Sequence, residues 1–192
     1  MSMRRKILDP MDNRIWVLKV PWFPQMDIEW TCMVNSIKMC LEYMKNTYSN
    51  RIIRNVVPNM DIDEIMTITN TRRFTGTDVD SRLIKKLNSK IEGVIFSLEE
   101  NVSMGKLSAK LGEGIPSIVL YNCQFLTDGI RGPSHAGVVI GATENYIVLN
   151  NPWLGSERFM PHEIFAPAWE LEYNQAILLD PNPQSKLGDE GK

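Results

Sequence analysis

Apolar residues recur at two different periods along this chain, and the period changes between its first and second halves. Helical spacing dominates the first half, in segments that open at Cys32, Asp61, Thr77 and Ser97. Short apolar or alternating runs, which indicate strands, dominate the second half. Strands are predicted at 14–20, 91–96, 115–121, 135–142, 145–151 and 175–179. Helices followed by antiparallel strands predict an α+β fold.

The same pattern divides the chain into three parts. Residues 1–13 are expected to be a flexible arm, 14–180 one domain, and 181–192 a polar, disordered tail. Within the domain, the first helix should end near 46 and the second near 69. Residues 135–142 and 145–151 should form a hairpin, 122–134 a loop, and 160–169 one or two helical turns.

Composition and charge exclude several classes of function. The formal net charge is −2 and the basic pairs are scattered among acids, which argues against a nucleic-acid partner. The sequence contains no apolar run long enough for a membrane segment and no apolar region typical of a secretory signal. We therefore expect a cytoplasmic location, with signal-less secretion as the alternative. Three cysteines without a CxxC spacing argue against a disulfide scaffold and a metal site. The chain therefore points to no membrane, metal or cofactor.

Four polar residues form a candidate constellation. Cys32 opens a helix, where the positive end of the helix dipole should lower its pKa and favour the nucleophilic thiolate. His135 opens a strand after a Gly/Pro loop and is placed to act as a proton acceptor. The hairpin returns Asn150 and Asn151 to the neighbourhood of His135, so either could orient the imidazole. Gln25 could donate an N–H to an oxyanion.

Each of these residues also has a simpler interpretation. Cys32 could be a small buried apolar residue, which most free cysteines are. Asn-Asn-Pro at 150–152 could be only a turn. Gln25 could be a solvated loop residue, and His135 could cap a loop. The other cysteines are expected to be inert, and His162 to be a surface or helix-cap residue.

The order of these residues resembles papain-like cysteine peptidases, and most closely the bacteriocin-leader (double-glycine) peptidases and their stand-alone relatives. The segments that carry the resemblance are VPWFPQMDIEWTC at 20–32, CMVNSIKMCLEYM at 32–44, SHAGVVIGATENYIVLNNPW at 134–153 and FMPHEIFAPAW at 159–169. It implies a helical part carrying the nucleophile, packed against an antiparallel sheet. It also implies a Cys32–His135–Asn151 triad, with Gln25 at the oxyanion and no cofactor.

Two positions depart from the pattern of those relatives. Met33 stands where they usually have Gly, and its side chain could crowd the substrate. Asn151 stands where they usually have Asp. Papain itself uses Asn, followed two residues later by a Trp that shields the His–Asn bond, and Trp153 stands at that spacing here.

The resemblance predicts a cysteine peptidase that forms an acyl-enzyme and acts on a peptide or protein. Trp30, Met33 and Trp153 are predicted to line its cleft, whose walls should come from the middle of the chain and from 122–134. Trp22 and Phe23 are further candidates. An acyltransferase or transglutaminase-like enzyme using the same triad is one alternative. The others are an inactive fold that binds a peptide or protein, and a structural protein with a buried Cys32. Oligomeric state has no sequence signal.

Overall fold

Helices and strands alternate along the second half of the chain more than the sequence predicts. The computed structural model describes residues 3–11, 13–25, 30–47 and 57–182. Within these ranges the elements are β1 (Arg4–Leu8), β2 (Arg14–Leu18), α1 (Cys32–Thr47), α2 (Ile62–Thr69), α3 (Ser81–Lys90), β3 (Val94–Glu99), α4 (Met104–Glu113), β4 (Ser117–Asn122), α5 (Cys123–Asp128), β5 (Ser134–Ala142), β6 (Tyr146–Asn151), β7 (Gly155–Pro161), α6 (His162–Glu170) and β8 (Ala176–Pro181).

A six-stranded sheet in the order β3-β8-β4-β5-β6-β7 lies at the centre of the fold, and every pairing in it is antiparallel. Side chains alternate between its two faces. Leu120 and Val138 pack on the face that carries α1, whereas Tyr121 and Val139 pack with the α6 residue Phe165 on the other. The predicted α+β fold, with a nucleophile-bearing helix packed against an antiparallel sheet, is confirmed.

The helix α1 begins at Cys32 because its first turn is tied to the preceding residue. Thr31 accepts the backbone N–H of Asn35 through its carbonyl at 2.9 Å, and the Asn35 side chain donates to both Thr31 oxygens, at 2.9 and 3.0 Å. One face of α1 is then buried at Val34, Ile37 and further along the helix. Cys32 is therefore fixed at the helix N-terminus, as the apolar spacing predicts.

The predicted flexible arm is wrong for most of its length. Arg4–Leu8 pairs with Arg14–Leu18 along its whole length in an antiparallel ribbon. The Arg4 guanidinium also donates to the carbonyls of Leu111 and Gly112. The charged run Arg4–Lys6 conceals β1, because this strand is largely solvent-facing and shows no strong apolar alternation. The predicted tail at 181–192 begins too early, because Pro181 ends β8 and the Asn182 N–H donates to the carbonyl of Gly93 at 2.9 Å. Residues 183–192 lie outside the described residues.

Several predicted element boundaries are wrong, because other residues cap the helices or because a strand occupies the segment. The helix predicted to open at Thr77 begins at Ser81, after the Asp80 cap. The Ser97 segment belongs to β3, and the helix that follows is capped by Ser103, whose hydroxyl accepts the Lys106 N–H at 3.1 Å. The expected loop at 122–134 contains α5, capped by Asn122. The helix predicted from residue 160 begins at His162, because the preceding residues form β7 against β6.

Candidate active site

A cleft of about 830 Å³ brings together nearly all the residues that the sequence singles out. Its walls include Gln25, Trp30, Cys32, Met33, His135 and Trp153. The segment Phe74–Val79 forms part of the wall, and residues between 123 and 134 form another part. The predicted origin of the walls is thus correct. Trp22 and Phe23 are not among the lining residues.

Cys32 lies at the start of α1 with its sulfur next to the strand that carries His135. The backbone N–H groups of Ala136, Met33 and Cys32 itself lie near the sulfur and favour its charged form. Ala136 directly follows His135, so the thiol and the imidazole come from adjacent points of the cleft.

Cys32 as a residue is partly exposed to solvent, whereas protein atoms pack densely around its sulfur. Burial raises the pKa of the thiol, and the nearby backbone N–H groups only partly oppose that effect. The lowered pKa predicted from the helix dipole is therefore wrong in direction.

Asn151 lies directly behind His135 and is fully buried. Its Oδ1 accepts the backbone N–H groups of Trp153 at 2.7 Å and Leu154 at 2.8 Å. Because backbone N–H groups only donate, the amide atom that faces them is identified as the oxygen. The same oxygen lies 3.0 Å from Nε2 of His135.

The Asn151 oxygen determines the tautomer of His135. Since Oδ1 can only accept, Nε2 must carry the proton and Nδ1 retains its lone pair. Burial lowers the pKa of His135 to about 4, and the bond to Asn151 opposes this shift only in part. The imidazole is therefore neutral and able to accept a proton at ordinary pH.

The structure distinguishes the two candidate asparagines. Asn150 faces away from His135: its Nδ2 donates to the carbonyl of Val20 at 3.0 Å and its Oδ1 accepts the Glu157 N–H at 3.1 Å. Asn150 thus ties the segment before Cys32 to the hairpin, whereas Asn151 contacts the imidazole.

Two further bonds hold Gln25 at the cleft. The backbone N–H of Gln25 donates to the carbonyl of Pro152 at 3.0 Å. Three residues earlier, the Trp22 indole donates to the carbonyl of Asn151 at 2.9 Å. Gln25 is 4% exposed, so its interpretation as a solvated loop residue is wrong.

The predicted cleft residues have different environments. Met33 is buried within the core beneath the cleft, at 3% exposure, so little of its side chain projects toward a ligand. Trp153 is 61% exposed, with its ring centroid 6.3 Å from that of His135. Trp153 therefore covers one side of the imidazole while remaining open to solvent.

The other cysteines and the second histidine lie in different environments. Burial raises the pKa of Cys123 to about 11 and that of Cys40 still further. Cys123 does line the cleft. His162 begins α6, away from the lining residues. Among residues 3–11, 13–25, 30–47 and 57–182, no group of three or more His, Cys, Asp and Glu side chains could hold a metal ion.

Tyr121 is a site residue that sequence reasoning missed. Its hydroxyl accepts the Asn151 amide at 2.6 Å and its ring lies edge-on to His135, with centroids 5.6 Å apart. In the sequence Tyr121 is the last residue of the predicted strand IPSIVLY, where an aromatic residue indicates only a core position.

Replacing Asn151 by aspartate tests the electrostatics of this arrangement. In Asn151→Asp, the carboxylate can accept the same three N–H groups and also the Tyr121 hydroxyl, so it should be tolerated. Its negative charge should raise the pKa of His135 above about 4. We expect the midpoint of an NMR titration of the His135 ring protons to rise by about one unit or more. Asn151→Ala, which removes the acceptor, should lower it. An unchanged midpoint in Asn151→Asp would contradict this account.

Comparisons with known proteins show a sequence family and several solved structures that this chain resembles. Residues 17–177 match the sequence profile of the family described as Peptidase_C39 like. Among curated protein sequences, none matches this chain. None of the helices in the described part of the chain is long and apolar enough to cross a membrane.

Three solved structures share the fold, each at 19% identity over 85% of this chain. A protein described as a C39-like peptidase from Bacillus anthracis has a TM-score of 0.58, with 96% of its chain covered. A double glycine motif protease from an AMS/PCAT transporter, solved with its leader peptide, also scores 0.58, with 93% covered. The peptidase domain of Streptococcus ComA, a bi-functional ABC transporter involved in quorum sensing, scores 0.56, with 99% covered.

Proposed function

We infer that this chain, which belongs to the Peptidase_C39 like family and is thus a cysteine peptidase, cleaves peptide bonds with Cys32 as nucleophile. The observation that carries the proposal is that Cys32 and His135 line the same cleft, with the Ala136 backbone of the His135 strand next to the Cys32 sulfur. The Nε2–H tautomer of His135 supports the same assignment, since its basic nitrogen is Nδ1.

The first step transfers the thiol proton. Burial disfavours a thiolate at Cys32 alone and an imidazolium at His135 alone, because it raises the pKa of Cys32 and lowers that of His135. His135 Nδ1 takes the proton as the sulfur attacks the peptide carbonyl, and the two opposite charges then stabilise each other. Asn151 keeps the imidazole oriented throughout this transfer.

The second step breaks the peptide bond. The carbonyl oxygen becomes an oxyanion that accepts N–H groups from Gln25 and from the backbone of Cys32. The imidazolium returns its proton to the leaving amine, leaving the substrate acyl group on the Cys32 sulfur. Water, deprotonated by His135, then attacks the thioester, releases the acid and restores the thiol.

A peptide or protein segment is the substrate class that this cleft fits. It is open enough to admit a chain, and one structure with the same fold holds a leader peptide. That protein is a transporter component, so its particular peptide is not transferred to this chain.

A peptide-library assay tests this proposal. Proteome-derived peptides incubated with wild-type protein or Cys32→Ala are compared by mass spectrometry. New carboxyl ends that form only with the wild type support peptide hydrolysis. Adducts with a supplied amine would instead identify an acyltransferase. Absence of any Cys32-dependent product, with tight binding of some peptides to both proteins, would favour the binding-domain alternative.

Substituting Gln25 tests the oxyanion role. Gln25→Ala should lower kcat about 10²-fold with KM nearly unchanged, because the lost N–H acts on charge present only in the transition state. Gln25→Glu has a side chain of similar size but lacks the N–H donor, so its kcat should fall as in Gln25→Ala. The control is Gln124→Ala, since Gln124 also lines the cleft but is exposed. A rise in KM alone would assign Gln25 to substrate binding instead.

A further inference from the structure

We propose that Tyr121 is a positioning residue that fixes the amide of Asn151 and, through it, the tautomer of His135; this rests on the proposed function. Tyr121 stands opposite His135 in the pairing of β4 with β5. It therefore contacts two members of the candidate triad at once, the amide through its hydroxyl and the imidazole through its ring.

Both ends of the Asn151 amide are occupied, and only the nitrogen end depends on side chains of β4 and α5. The oxygen accepts the His135 ring and two backbone N–H groups. The nitrogen donates to the Tyr121 hydroxyl at 2.6 Å and also bonds the Cys123 sulfur. Sulfur is a weak acceptor. The Tyr121 hydroxyl is therefore the stronger of the two partners that hold the nitrogen end.

The ring of Tyr121 is held from two sides. Its centroid lies 5.5 Å from that of Phe165 on α6. On β5, a Cβ built at Gly137 would come within 3.2 Å of the Tyr121 ring and 3.3 Å of its hydroxyl. Such contacts are tighter than van der Waals packing favours. Glycine at 137 thus leaves the space in which the hydroxyl reaches Asn151.

Loss of the Tyr121 hydroxyl should therefore change the tautomer of His135 indirectly, through the Asn151 amide. In Tyr121→Phe, the ring contact remains but the amide keeps only its sulfur acceptor. A loosened amide constrains the imidazole less, so the Nδ1–H tautomer becomes populated. That tautomer has no lone pair at Nδ1, the nitrogen assigned to accept the Cys32 proton.

The experiment compares Tyr121→Phe with Tyr43→Phe. Tyr43 is a matched control, because its buried hydroxyl also bonds a polar group, the carbonyl of Gly114 at 2.8 Å, but lies at the far end of α1. Imidazole nitrogen shifts in ¹⁵N-histidine-labelled protein report the tautomer. A His162→Gln variant assigns the signals. Steady-state kinetics on a cleaved peptide gives kcat and KM.

We expect wild type and Tyr43→Phe to show His135 as Nε2–H alone. Tyr121→Phe should show a mixture of tautomers, with kcat about tenfold lower and KM within about twofold. If Tyr121→Phe does not fold, Gly137→Ala, which displaces the ring and keeps the hydroxyl, should show the same mixture. An unmixed Nε2–H signal in the folded variant overturns the proposal. A tautomer change in a protein without peptidase activity would uphold it and refute the proposed function.

Discussion

A Cys32→Ala variant should lose peptide cleavage, with kcat/KM lower by about 10⁴-fold or more. Alanine supplies no nucleophile, and neither remaining cysteine can substitute. Cys40 is fully buried inside α1, and burial raises the pKa of both Cys40 and Cys123 above the ordinary thiol value. The rate is measured on any peptide that the wild-type protein cleaves.

The matched control for this loss is Cys40→Ala. It removes the same thiol from the same helix, away from the cleft, so activity should stay within about threefold while stability falls modestly. Cleavage by Cys32→Ala at a rate near that of the wild type would remove Cys32 from the mechanism. Loss of activity in both variants would indicate damage to α1 rather than to the nucleophile.

The second large effect is expected at His135. His135→Ala should lower kcat/KM by about 10⁴-fold, because the variant loses both the proton acceptor and the donor to the leaving amine. The chain provides a natural control in its only other histidine, His162, at the start of α6. His162→Ala should retain most activity.

Circular dichroism and thermal melting establish that both variants fold. His135 is only 7% exposed, so its replacement leaves a small cavity beside Tyr121 and some loss of stability is expected. If folded His135→Ala cleaves as fast as wild type, or if only His162→Ala is inactive, the assignment of the base is wrong.

The pH dependence of kcat/KM follows from the two pKa shifts. Below about pH 4 His135 is protonated and cannot act as a base, so activity should rise through that value. The pKa of Cys32 is raised, so the pair should lose its shared proton only above the ordinary thiol range. A broad plateau between these limits is expected. An acid limb near pH 6.5, the ordinary pKa of histidine, would show that burial does not control His135.

The positions of the candidate residues could be predicted where the local pattern is strong. The apolar face of α1 places Cys32 at the helix N-terminus, and the β5–β6 hairpin brings Asn151 beside His135. The hairpin alone does not choose between Asn150 and Asn151, because only the bulge and register of the strands decide which one faces the ring. The resemblance to known peptidases supplies the choice of Asn151.

Other features depend on contacts between distant residues, which no local pattern records. The bond from the Asn151 amide to the Tyr121 hydroxyl joins two residues that are thirty positions apart in sequence. The direction of the Cys32 pKa depends on how densely the fold surrounds the sulfur, whereas the sequence reveals only the helix end. The strand β1, which pairs with the predicted strand β2, is hidden because its exposed residues carry charge.

The most direct test of the account is the rate of iodoacetamide alkylation at each cysteine as a function of pH. Mass spectrometry resolves the three sites in folded wild type and in His135→Ala. We predict that Cys32 reacts fastest in wild type, with a rate that is flat from about pH 5 to 8 because His135 takes its proton. In His135→Ala the Cys32 rate should be far lower at pH 5 and rise about tenfold per pH unit, as for an isolated buried thiol. Identical pH profiles for Cys32 in the two proteins would contradict the claim that His135 activates it.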